Sequence, residues 1–278
     1  MHGVIHHPFV YHLGPLLVTG FGIAMLLTFV IAQIVATAEL RRRGHTEAVD
    51  AMSDLTVAAV IGGLAGAKIY YVVLTGNSIF QRGGFVFWGG LLGGIAAVCA
   101  VIRWKKIPIP VIADVAAIAL AAAYAVGRTG CWAVGDDYGR PWTSRFAVSF
   151  PNGSPPSTVH YLTADFGVSS LAGRPAQEVV SVYPTQLFEV GLGLVMFAVL
   201  WRMRRHRHRE GWLFGVYCVL AGLERFVIEF FRAKDDRFLG GLTIAQGIAI
   251  GFMIVGVVIM TVMRATRGET DSVRTAKA

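Results

Sequence analysis

The chain has 278 residues, 55% hydrophobic and 15% charged, with a mean hydropathy of +0.59. A soluble domain carries about 25% charged residues, so a water-soluble globule is excluded. The formal net charge of +8 does not point to nucleic acid, because the basic residues flank apolar blocks with no aromatics interleaved. They read instead as a topology signal and an attraction to anionic lipid.

The N-terminal segment comes first, with His2, His6, His7 and His12. No acidic or cysteine partner stands near them, so an interfacial placement beside Phe9 and Tyr11 is expected and no metal site. Apolar stretches of membrane-spanning size follow: Leu16–Ala38, Leu55–Leu74, Phe85–Ile102, Val111–Val126, Pro184–Trp201, Trp212–Phe231 and Leu242–Met263. The fourth is the shortest. The first is not expected to be a cleaved signal, because its basic run, Arg41-Arg42-Arg43, follows the apolar stretch instead of preceding it. Connections after the first, third, fifth and seventh stretches hold fifteen Lys and Arg, against eight on the other side. That asymmetry places the N-terminus outside and the C-terminus in the cytoplasm.

The expected fold is therefore an all-α integral membrane protein of about seven transmembrane helices. A transmembrane domain over 1–264 includes an extracytoplasmic loop region at 127–183, and a disordered cytoplasmic tail covers 265–278. The loop is too short for a deep core of its own. Cys99, Cys131 and Cys218 give no disulfide framework.

Polar residues inside spans cost about 2.5–3.5 kcal/mol each at mid-membrane and usually mark function. Lys68, Arg128, Gln186, Glu189, and Arg225, Glu229 and Arg232 at i, i+4 and i+7 all fall in the outer leaflet of this topology. A cationic layer at headgroup depth suits a phosphate, and arginine grips it bidentately. Structural ion pairing is the plainer reading of any one of these residues. Gly62, Gly63 and Gly66, with Gly89, Gly90, Gly93 and Gly94, let helices approach closely; some leave room for an acyl chain. The stretch Gly127-Arg128-Thr129-Gly130-Cys131-Trp132-Ala133-Val134-Gly135-Asp136-Asp137-Tyr138-Gly139-Arg140 reads as a helix ending at Arg128 in a glycine-rich turn. Cys131 offers a nucleophile, though a small residue in a packed turn is the plainer reading.

That stretch resembles the signature of the bacterial prolipoprotein diacylglyceryl transferases. Three further segments carry the same resemblance in the same order: Phe87-Trp88-Gly89-Gly90-Leu91-Leu92-Gly93-Gly94, Tyr183-Pro184-Thr185-Gln186-Leu187-Phe188-Glu189, and Arg225-Phe226-Val227-Ile228-Glu229-Phe230-Phe231-Arg232. The resemblance implies transfer of diacylglyceryl from phosphatidylglycerol to the lipobox cysteine thiol of a lipoprotein precursor signal peptide, in the bacterial inner membrane, with no cofactor and no metal. A paralogue acting on another acceptor, or a non-catalytic protein binding anionic lipid, is the alternative. Arg128 and Arg225 match the family's phosphate-binding arginines, and Asp114, Gly139 and Glu229 match family positions. Asp136 stands where the family commonly has Glu, and Lys68 where it commonly has Arg. Several positions depart: Trp88 replaces a histidine proposed as base, Cys131 an asparagine, Phe21 and Ala221 tyrosines, and Tyr183 a histidine.

With Trp88 at the histidine position, Asp136 or Glu189 is left to take the thiol proton, Asp136 being preferred for its nearness to water and Arg128. The expected catalytic residues are thus Arg128, Arg225, Asp136 and Glu189. Lys68, Trp88, Gly89, Gly90, Gly139, Arg140, Gln186, Glu229 and Arg232 are expected to bind substrate.

Overall fold

The computed structural model describes residues 4–14, 16–80, 84–233, 237–239 and 241–264. The expected tail at 265–278, together with His2, Arg82 and Lys234, lies outside the described residues. The chain is mostly helical, and it falls into two compact units, Met1–Ala32 with Ala117–Ala278, and Gln33–Ala116.

Among the described residues, six helices are long and apolar enough to cross a membrane: α1 Gly20–Arg43, α3 Met52–Thr75, α4 Phe87–Trp104, α5 Ile109–Val134, α7 Thr185–Met203 and α9 Ile244–Val262. At about 1.5 Å per residue, even the 18 residues of α4 approach the roughly 30 Å of a bilayer's hydrocarbon. A short α2 covers Thr46–Asp50 and a short α6 covers Val159–Ala164. α8, Trp212–Ile228, has 17 residues and carries Glu224 and Arg225 in its last turn. It falls just short of those six in length.

Three boundaries correct the sequence expectations. Leu16–Thr19 is not the start of the first span but strand β3, paired antiparallel with β2 Val10–Leu13. The hairpin closes where the Gly20 N–H donates to the Phe9 carbonyl at 2.9 Å. The fourth span is the longest helix, not the shortest: it runs unbroken through Gly127 and Gly130 to Val134. Gly130 faces α1 there, where a Cβ would come within 2.8 Å of the Ala24 side chain, so packing holds it helical. Arg128 therefore lies inside a helix and not at its end. The sixth apolar stretch ends as helix with α8 at Ile228, which leaves Glu229 as its C-cap and Arg232 in the turn beyond.

In unit Gln33–Ala116, α3 and α4 form an antiparallel pair whose backbones approach closely at the facing glycines. A Cβ at Gly66 would collide with the Gly89 carbonyl, and one at Gly93 with the Gly62 carbonyl. Small residues let the helices meet this closely. At the end of α1, the buried Glu39 takes Arg42 at 2.5 Å and Arg43 at 2.8 Å, and Arg43 reaches the buried Asp114 at 3.4 Å.

In the other unit, residues 135–183 supply most of a buried core that they share with the end of α5 and Ala233. Phe150, Leu162 and Val182 are fully buried, together with Tyr138, Val159 and Leu171, and the end of α5 contributes Trp132. Strands β1 Val4–Ile5, β4 Val148–Ser149 and β5 Ser181–Val182 run across it, β4 parallel to β1 and antiparallel to β5. Two further strands, β6 Arg237–Leu239 and β7 Leu242–Thr243, pair antiparallel just before α9. The buried Ser157 hydroxyl ties the core together, accepting from the Phe150 N–H and donating to the Val180 carbonyl, each at 2.9 Å. Ser157→Ala strands both backbone groups and is expected to cost about 1–3 kcal/mol. Thermal unfolding of the purified protein and the variant, followed by tryptophan fluorescence, checks this.

Candidate active site

The longest helix sets the geometry. α5 presents Tyr124, Arg128 and Cys131 at successive turns of one face, spaced i, i+4 and i+7. After Val134 the chain reverses through Gly135 and Asp137, both with positive φ, a conformation that aspartate tolerates better than most residues. The Thr185 hydroxyl at the start of α7 donates to the Asp137 carbonyl at 2.6 Å, and the Gln186 side-chain amide donates to the Asp136 carbonyl. The loop is thus pinned at two successive residues.

Gly139 is needed for a different reason. Three segments cross there: the Gly139 N–H donates to the Tyr183 carbonyl at 2.9 Å, and the next N–H, of Arg140, to the Phe231 carbonyl at 2.8 Å. Any Cβ would strike the Phe231 carbonyl and the Thr185 and Tyr183 side chains. Arg140 adds a side-chain bond, its Nε donating to the Arg232 carbonyl at 2.9 Å. Tyr183, at the position of the family histidine, stacks on Trp142 with centroids 4.3 Å apart.

On this frame the charged groups form a ladder of alternating sign. Glu189 Oε1, fully buried, meets Arg128 Nη2 at 3.1 Å. Arg128 Nη1 meets Asp137 Oδ2 at 2.9 Å, and Asp137 Oδ1 meets Arg232 Nη2 at 2.7 Å. Arg232 Nε lies 3.9 Å from Glu229 Oε2, which Arg225 Nη2 holds at 2.7 Å. At the Glu189 end, the Tyr124 hydroxyl lies 2.8 Å from Glu224 Oε1 and 3.3 Å from Glu189 Oε1. The Tyr124 ring also lies 5.2 Å below the Arg128 guanidinium, a cation–π contact.

Nine of the expected residues, Arg128, Asp136, Gly139, Arg140, Gln186, Glu189, Arg225, Glu229 and Arg232, thus sit in one connected network. The layer is not simply cationic, because carboxylates alternate with its guanidiniums. Lys68, Trp88, Gly89 and Gly90 belong to the other compact unit. There Lys68 lies over the Tyr71 and Phe85 rings, at 5.4 and 5.3 Å. Gly89 packs on Gly66 and Tyr70, and Trp88 is 46% exposed at the start of α4.

Sequence reasoning missed Asp137, Tyr124 and Glu224. Tyr124 and Glu224 are polar groups inside apolar helical runs, a signal of the same kind that singled out Glu189. Asp137 gives no such signal beside Asp136.

The two loop carboxylates behave oppositely. Burial pushes Asp136 up to about 6, helped by the neighbouring Asp137 charge and opposed by the Cys131 thiol, Arg128 and Arg232. Burial also acts on Asp137, but Arg232 and Arg128 override it and hold that carboxyl below its ordinary value. The site therefore holds one fixed anion and, beside it, one carboxyl whose proton moves near neutral pH. Arg128 Nη1 lies 3.7 Å from Cys131 Sγ, so the thiol borders the same loop.

The family model described as prolipoprotein diacylglyceryl transferase matches residues 8–262. A phosphatidylglycerol–prolipoprotein diacylglyceryl transferase of Paraburkholderia phymatum is 31% identical, over 91% of this chain and 91% of its own length. The similarly named protein of Geobacter sulfurreducens is 28% identical over 90% and 92%. That of Clostridium tetani is 25% identical over 92% and 98%.

Proposed function

We infer, because the chain belongs to the prolipoprotein diacylglyceryl transferase family, that it moves the diacylglyceryl group of phosphatidylglycerol onto the thiol of a lipoprotein precursor, as the names of its relatives describe. The acceptor in this reading is the lipobox cysteine of a signal peptide. The observation that supports the reading most is the ladder of guanidiniums from α5, α8 and the turn after α8, joined through Asp137 and Glu229.

The reading carries a topology. α8 spans the membrane as a seventh helix, short because its last turn carries the site's Glu224 and Arg225. The excess of Lys and Arg after alternate helices puts the N-terminus and residues 135–183 outside and the C-terminus in the cytoplasm. The chain is then a multi-pass protein of the bacterial inner membrane, with the ladder at outer headgroup depth.

In the reaction, the acceptor sulfur attacks the glyceryl carbon that bears the phosphate ester oxygen. A carbon–sulfur bond forms, that carbon–oxygen bond breaks, and its electron pair leaves on glycerol phosphate. Arg128 and Arg225, supported by Arg232, Arg140 and Glu229, stabilise that developing charge as preorganised donors in a low-dielectric site. The thiol, with an ordinary pKa of about 8.5, gives its proton to Asp136, whose raised value suits it as a base near neutral pH. Glu189 and Gln186 hold Arg128 and the Asp136 loop in place. Lys68, Trp88, Gly89 and Gly90 serve the lipid in this reading.

The test is direct. The purified chain is reconstituted in vesicles containing phosphatidylglycerol and given a peptide with a lipobox cysteine. The peptide is expected to gain the mass of one diacylglyceryl group on its thiol, and to gain none in vesicles of phosphatidylethanolamine alone. A chain that binds phosphatidylglycerol but leaves it intact would be a lipid-binding paralogue, and the proposal would be wrong.

A further inference from the structure

Asp137 is held from three directions. Each carboxylate oxygen meets a different guanidinium, Oδ1 with Arg232 at 2.7 Å and Oδ2 with Arg128 at 2.9 Å, while its carbonyl accepts from Thr185. We propose that Asp137 is a resident anion seated where the donor's phosphate goes, and that donor binding exchanges this carboxylate for a singly charged phosphodiester. The proposal rests on the transferase reading above.

Shape is the first reason. A carboxylate bridging two guanidiniums presents two oxygens across a short gap, and the two non-ester oxygens of a phosphodiester span nearly the same gap. The seat that fits Asp137 therefore fits the lipid phosphate without rebuilding either arginine.

Accessibility is the second. Glu189 and Glu229, the other carboxylates of the ladder, have side chains 0% and 2% exposed, whereas that of Asp137 is 38% exposed. Both glutamates sit on a helix or at its cap. Asp137 sits on a loop at φ +55°, so its side chain can turn toward water while the helices stay still. An incoming anion displaces the carboxylate that water can receive.

Charge is the third. From Glu189 to Arg225 the ladder alternates three carboxylates, Glu189, Asp137 and Glu229, with three guanidiniums, Arg128, Arg232 and Arg225. A phosphodiester replaces Asp137 one charge for one, and the balance holds. The product is a phosphomonoester, which carries a charge of about −1.5 to −2 at pH 7 and overfills the seat. Returning, Asp137 puts a single charge back in the seat and drives the product out. The same residue thus selects a diester and ejects a monoester.

The experiment compares the full-length protein with Asp137→Asn in detergent micelles, titrated separately with dihexanoyl phosphatidylglycerol and with glycerol phosphate. The variant keeps the shape of the side chain and removes the competing charge, so it is expected to bind both ligands at least about tenfold more tightly. Stronger inhibition of turnover by glycerol phosphate is expected with it. Weaker or unchanged binding overturns the proposal, because a residue that merely positions the arginines would leave them disordered when lost. Thr185→Val is the second variant. It keeps every charge and frees the loop carbonyl, so it is expected to shift binding in the same direction by a smaller factor, and it decides the matter should Asp137→Asn fail to fold. Failure of the wild-type chain to consume phosphatidylglycerol would strike the transferase reading alone, since binding is measured independently.

Discussion

Arg128→Gln is expected to lower diacylglyceryl transfer by about 10²–10³-fold, the usual loss when one preorganised donor is removed from a developing anion. Arg128 is the junction of the ladder, with Nη1 on Asp137, Nη2 on Glu189 and its face over Tyr124. Its removal also leaves the fully buried Glu189 beside an uncharged amide, and breaking a buried pair this way costs about 3–5 kcal/mol. Rate and thermal stability are therefore expected to fall together. Arg128→Lys separates the two effects. It keeps the charge near Glu189, so most of the stability is expected to return. An ammonium cannot reach Asp137 and Glu189 through two forks at once, so the rate is expected to stay low. Arg174→Ala serves as the control, because the Arg174–Glu178 pair is exposed to solvent and such pairs add little to stability. Transfer at a saturating concentration of lipid, measured beside an unfolding curve for each variant, decides between these outcomes. Full activity in Arg128→Gln would remove the arginine from the mechanism.

The second large effect is on pH dependence. If Asp136 takes the thiol proton, its ionised form is the active one. Its value of about 6 then places the inflection of the rate, which rises tenfold per pH unit below that value and levels off above it. Without burial an aspartate ionises near 3.9, and no such limb would appear between pH 5 and 6. Asp136→Asn is expected to flatten this limb and to lower the plateau by about 10²–10⁴-fold, the range of general-base catalysis. Asp137 does not give that limb: in the free protein Arg232 and Arg128 hold its carboxyl below the ordinary value, and once turned into water it ionises near the ordinary value of about 3.9. A profile whose acid limb survived unchanged in Asp136→Asn would assign the proton to another group.

Much of the chain is legible in its sequence. Six of the seven apolar stretches correspond to helices long enough to cross a membrane, because length and hydropathy are summed over many residues and no single position decides them. The family likewise followed from four motifs in order, and the family model now covers residues 8–262. The intramembrane polar residues Gln186, Glu189 and Arg225 identified themselves by their cost in lipid.

Local detail was less legible. Leu16–Thr19 is as apolar as a span, yet it turns back on Val10–Leu13 as a hairpin, a pairing that its hydropathy does not encode. Gly127 and Gly130 read as a turn, because glycine weakens an isolated helix by about 1 kcal/mol. Packing against α1 holds that segment helical instead and carries Arg128 inside the helix. The core formed by Phe150, Leu162 and Val182 draws on short strands far apart in the chain, which leave little periodic signal.

What the sequence determined by itself was the class of protein, the number of apolar segments to within one, and the residue types that could meet a phosphate. Those properties are additive along the chain, so they survive without knowledge of contacts. The charge state of the site was decided by tertiary structure alone. Asp137 looks like its neighbour Asp136 in sequence, but one is clamped between Arg128 and Arg232 and the other is buried beside a thiol. Two adjacent aspartates became a fixed anion and a titrating carboxyl because charge interactions fall with distance and strengthen out of water, and only folding sets those distances.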